Sequence, residues 1–205
     1  MSSVTEIYDR LTDRLRAAGD WVAPLGLRLL LAYEFYSAGG MKSGVDGVPG
    51  WFANKAFPMP FDWLPAGINW AMVTWTEIIA GLALAFGLFT RFFAFSLFVV
   101  TTIAIVSTHW PESWESLGQL WQGYSVSRVT EDGEFRGNFR IPLLFMAMLL
   151  PLVFMGGGKL SLDHLLIKFG GRGDLVHERN GDFLALSLAL LIPAIALIYL
   201  IPMWG

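Results

Sequence analysis

Three ionisable residues stand in stretches that are otherwise apolar: Arg28 and Glu34 within residues 22–41, and Glu77 within the run that begins at Trp70. A charged side chain in hydrocarbon costs about 2.5–3.5 kcal/mol or more unless it is paired, protonated or facing water. Counted at about 1.5 Å per residue, Arg28 falls about one third of the way across a bilayer core. By the same count Glu34 lies a little past the middle, and Glu77 enters from the opposite side to a depth between them. That geometry permits an ion pair between Glu77 and Arg28. Arg28 and Glu34 lie about 120° apart on a helical wheel, so they face different neighbours. Two readings of the trio stand. It is a charge cluster that fixes the register of a bundle, or an intramembrane polar pocket where a carboxylate takes a proton, a metal or a ligand headgroup.

Outside these runs the chemistry thins. His109 has only Glu112 as a local companion, too few ligands for zinc or copper, so no metal site is expected. Met146, Met148 and Met155 share no face and read as packing filler rather than a copper site. Cysteine is absent, which removes disulfides, thiolate metal sites and thiol exchange by this chain. Basic residues form no clustered face, so nucleic acid is not an expected partner.

The elements that must carry these residues are helices in a membrane. Of 205 residues 55% are apolar and only 15% charged, and the apolar ones are gathered in long blocks. WAMVTWTEIIAGLALAFGLF, Thr90-Arg91 and FFAFSLFVVTTIAIVS read as two spans joined by a tight turn. Gly87 ends the first with a left-handed cap, and Arg91 holds its charge at the headgroups. Residues 22–41 form the first span, 141–155 the fourth and 183–202 a fifth with no charge, kinked at Pro193. The predicted fold class is therefore all-α: an integral membrane four-helix bundle plus a fifth C-terminal transmembrane helix, with amphipathic surface helices.

Residues 1–21 carry apolar positions at helical spacing and read as an amphipathic helix on the inner surface, or as a short arm packed on the bundle. The membrane domain covers 22–168, with outer loops at 42–67 and 110–140, and 169–205 supply a linker and the fifth span. Trp51, Phe52, Phe57, Phe61 and Trp63 in the first loop suit the interface as anchors. In the second, Trp110, Trp114, Leu117 and Trp121 follow 4, 3, 4 spacing and predict one short surface helix. Together with His109 at the end of the third span, Trp110, Trp114 and Trp121 are the outer-surface candidates. A turn is expected around Asp132-Gly133, a helix stop at Gly156-Gly157-Gly158, and a surface helix over LSLDHLLIKF. With the N-terminus inside, eight basic residues fall on the inner side and five on the outer, which favours N-in and C-out.

Three segments resemble the DoxX family of small bacterial membrane proteins: LRLLLAYEFYSAGGMK at 27–42, EIIAGLALAFGLFTRFFAF at 77–95 and GGGKLSLDHLL at 156–166. The resemblance implies a four-helix membrane bundle in the bacterial inner membrane. It carries over Arg28, Lys42, Glu77, Gly81, Gly87 and Arg91 as positions that match the family pattern. The loop at 110–140 and the fifth span depart from that pattern, and the loop is similar to that of members linked to clusters for modified metal-binding peptides. Some members are subunits of thiosulfate:quinone oxidoreductases and others associate with oxidative-stress enzymes. The functions implied are an accessory subunit of a redox or metal-stress system, a quinone-reducing subunit in which Glu77 relays protons and Arg28 stabilises the reduced anion, or a small metal or peptide transporter. No cofactor is fixed by the residues; quinone or lipid is what the resemblance allows, and a protein partner or homo-oligomer is expected. Whether the chain is itself an enzyme stays open.

Overall fold

Helix formation follows the apolar blocks, and the breaks follow proline and glycine. The computed structural model describes residues 2–111, 114–124 and 137–170, so the expected fifth span and the turn at Asp132-Gly133 lie outside the described residues. Helix α1 is Ser2–Ser43, the short α2 is Gly50–Ala53, α3 is Ala66–Phe86 and α4 is Thr90–Ala104, continued by a π-helical turn Ile105–His109. Then come α5 Leu117–Tyr124, α6 Arg140–Met155 and α7 Leu162–Phe169. No strand occurs among the described residues.

Helices α1, α3, α4 and α6 touch in a ring: α1 on α3, α3 on α4, α4 on α6 and α6 back on α1. Leu31, Phe35, Leu84, Leu97, Phe98 and Leu149 fill its centre. The outward faces are apolar as well. Met72, Trp75, Ile79, Leu82 and Phe86 of α3 and Phe92 of α4 are exposed. A bundle in water would turn polar residues outward there, so these faces call for lipid or another protein. Two helical stretches, Ala66–Phe86 and Thr90–His109, are long and apolar enough to cross a membrane, and α6 is shorter at 16 residues.

The α3–α4 turn is as tight as expected. Gly87 adopts φ 67°, and the Gly87 and Leu88 amides return to the carbonyls of Leu84 and Ala83, closing α3 with the left-handed cap that glycine favours. Helix α6 stops at Gly156, φ 78°, in the expected triple glycine.

The boundary expected near residue 21 lies inside one continuous helix. Pro24 lacks an N–H and leaves the Asp20 carbonyl without its helical donor. The Lys159 amide supplies that donor at 3.2 Å, from the glycine loop after α6. Tertiary contact thus repairs the one gap that could have broken α1.

The tryptophan helix is shorter than its spacing suggests. Pro111 disfavours helical backbone at the residue before it, and Trp110 is extended at φ −80°, ψ 141°. Of the four spaced residues Leu117 and Trp121 lie in α5; Trp110 packs on Phe139 and Trp114 precedes the helix. In the loop between α1 and α3 Phe52 is buried against Phe57 and Trp70, while Trp51 and Trp63 are exposed.

Candidate functional site

Close approach of α1 and α3 sets where their charges meet. A Cβ at Gly39 would come within 2.9 Å of the Thr74 carbonyl, and one at Gly81 within 2.9 Å of the Tyr36 amide. Only glycine fits at either place, so the backbones lie against each other and the register is fixed. One turn beyond Gly39, Lys42 reaches back along α3 and places Nζ 2.6 Å from Glu77 Oε2. Glu77 is buried and Lys42 half-buried. This charge-assisted bond is shielded from competition by water, so each partner satisfies the other.

Arg28 makes no pair with Glu77. Its Nη1 lies against Gly87, ten residues further along α3, about 15 Å from the level of Glu77 at the helical rise. Counting depth from the ends of each run misplaced Glu77 because it ignored the register imposed by Gly39 and Gly81. Lys42, assigned from sequence to a loop, is the true partner. The signal for it was its position one turn after the small residues of SAGGMK.

Arg28 belongs to a second cluster at the other end of the ring. It is fully buried, its Nη2 donates to the Leu160 carbonyl, and Asp163 is close enough to act on it electrostatically. Its Nε and Nη1 find no partner among the described residues, nor does the Thr90 hydroxyl. Asp163 itself accepts from the Phe89 amide at 2.6 Å and the Thr90 amide at 2.8 Å, capping α4 from a distant segment. Gly158 packs on Pro24, and Ser161 caps α7. The loop after α6 is thereby fastened to α1 at Asp20, Pro24 and Arg28.

Glu34 is exposed on the outer flank of α1, with no hydrogen-bond or ionic partner among the described residues. Arg28, Glu34 and Glu77 therefore do not converge on one cavity. After α4, His109 Nδ1 is 2.6 Å from Asn138 Oδ1, and Trp121 stacks on Tyr124 with ring centroids 4.8 Å apart. Glu112 lies outside the described residues. No group of three or more candidate metal ligands occurs among the described residues.

A profile of the DoxX family matches residues 23–110, which takes in α1 from Ala23 onward, α3 and α4, and so Arg28, Lys42 and Glu77 but not Asp163. An uncharacterized protein of Haemophilus influenzae is 35% identical over 157 residues, covering 76% of this chain and 90% of its own length. No solved structure matches the chain.

Proposed function

Since the chain belongs to the DoxX family of membrane proteins, we propose that it is an accessory subunit that serves a redox or metal and oxidative-stress system through a partner protein. The reading places it in the bacterial cytoplasmic membrane as a multi-pass protein, N-terminus inside and C-terminus outside, following the bias of its basic residues. One observation carries the accessory role. Glu77 is paired with Lys42 at one end of the ring and Arg28 is held on the Leu160 carbonyl at the other, with an apolar layer of Leu31, Phe35, Leu84 and Leu97 between them.

That layer counts against a transporter, which needs a polar path past its midpoint. It also removes the basis for a proton relay and an anion stabiliser acting on one quinone ring, because Glu77 and Arg28 sit at different levels. The group left free for recognition is Glu34. A lone carboxylate on an otherwise apolar flank is costly against lipid and is satisfied when another helix covers it.

Photocrosslinking in native membranes tests this. A benzophenone amino acid at Tyr33, 72% exposed beside Glu34, is expected to give a protein adduct. The same group at Ile79, on the outward face of α3, is expected to label lipid. Lipid adducts alone at both positions would sink the reading.

A further inference from the structure

A groove of about 280 Å³ runs along the seam between α3 and α4, walled by Val73, Thr76, Val99 and Ile103 and roofed by Phe52, Phe57 and Phe61. It carries no charged side chain. Phe92, Phe95 and Met72 line it and are exposed, so its long side opens outward from the ring. From Phe92 to Ile103 it follows about 16 Å of α4.

Its polar contents are few and specific. Asn69 lines the groove under the aromatic roof and is only 5% exposed. Its Nδ2 donates to the Phe61 carbonyl at 2.8 Å and the Leu64 carbonyl at 3.5 Å, which fixes the orientation of the amide. Oδ1 is left buried without a partner among the described residues. An unmet buried acceptor is costly, and a bound donor would recover that cost. Two turns along the same face stands Thr76. The hydroxyls of Thr74, Ser96, Thr101 and Thr102 all bond back to the carbonyl four residues before, but none of the described bonds involves Thr76.

We infer that this groove binds a single-chain neutral amphiphile, with a head hydroxyl donating to Asn69 Oδ1 and an apolar tail running past Thr76 toward Phe92. The acceptor demands a donor in the ligand, which excludes an ester or ether head. The absence of a cationic wall residue excludes a phosphate or carboxylate head, and the absence of a wall carboxylate leaves an ammonium without a counter-ion. Rings of Phe52 and Phe57, 4.9 Å apart, close the outer end over the head. The open side lets a tail longer than the groove continue into lipid.

The test uses the purified full chain in detergent, titrated with hexadecanol, with geranylgeraniol and with the methyl ether of each, and read by native mass spectrometry. Saturable one-to-one binding of an alcohol, at least tenfold tighter than its ether, is expected. The two alcohols distinguish a straight-chain from an isoprenoid tail. Ser96→Phe fills the groove while leaving Asn69 untouched, and is expected to abolish binding with the melting temperature retained. Equal binding of alcohol and ether, unchanged binding by Ser96→Phe, or no saturable binding of either alcohol would overturn the assignment.

Discussion

Lys42 and Glu77 grip each other across the α1–α3 seam at 2.6 Å, and they do so because Gly39 and Gly81 let the two backbones touch. Neither charge would be tolerable alone at that place. The pair is therefore a register device as well as an ion pair: sliding α1 by one turn would separate the charges and drive a Cβ-bearing residue into the seam.

Removing one partner should be worse than removing both. Lys42→Met or Glu77→Leu alone is expected to destabilise the detergent-extracted protein by about 2–4 kcal/mol, below the usual range for a fully buried pair because Lys42 keeps some contact with its surroundings. The double variant should recover most of that loss, since two apolar side chains leave no orphaned charge. Arg28→Ala combined with Glu77→Ala should show simple additivity, the two sites being too far apart to couple. A coupling energy above about 0.5 kcal/mol between Arg28 and Glu77, measured by reversible unfolding, would contradict the geometry described above.

Crowding and backbone conformation can be separated at two glycines. Gly47 and Gly87 both have positive φ, 75° and 67°, but a Cβ at Gly47 meets nothing within 4 Å, whereas one at Gly87 would overlap Arg28 Nη1. Gly47→Ala should cost about 1–2 kcal/mol, the conformational penalty alone. Gly87→Ala should cost at least twice as much, and Arg28→Ala should relieve part of the excess. Equal melting temperatures for the two single variants would show that Arg28 is free to move away.

What could be read in advance was local. The α3–α4 turn, the stop after Met155 and the α7 helix are written in neighbouring residues, where glycine and a short polar side chain act within one turn. The helical ring itself follows from the spacing of apolar blocks. The partner of Glu77 was not legible by counting depth, because two glycines on different helices set the offset. Continuity through Pro24 was equally hidden, since the donor that rescues the Asp20 carbonyl comes from Lys159, far along the chain. Trp110 was misassigned to a helix because a 4, 3, 4 spacing was weighed more heavily than the proline that follows it. Glu34 was placed correctly on its helix and on the wrong side of it, facing outward rather than into a pocket.

Asp163 offers the sharpest test of the Arg28 cluster, since one carboxylate there has two duties. Its two oxygens hold the first amides of α4, and its charge lies beside the buried Arg28. Asp163→Ala removes both and is expected to cost about 2–4 kcal/mol, a helix cap together with an uncompensated buried cation. Asp163→Asn keeps one acceptor and no charge, so it should fall between the variant and the native chain. Hydrogen exchange locates the damage: the amides of Phe89 and Thr90 should lose protection first, while those around Lys42 and Glu77 keep theirs. Uniform loss of protection across both ends would mean that the two clusters fold as one unit. Retained protection at Phe89 and Thr90 in Asp163→Ala would mean that α4 does not depend on the segment after α6 for its cap.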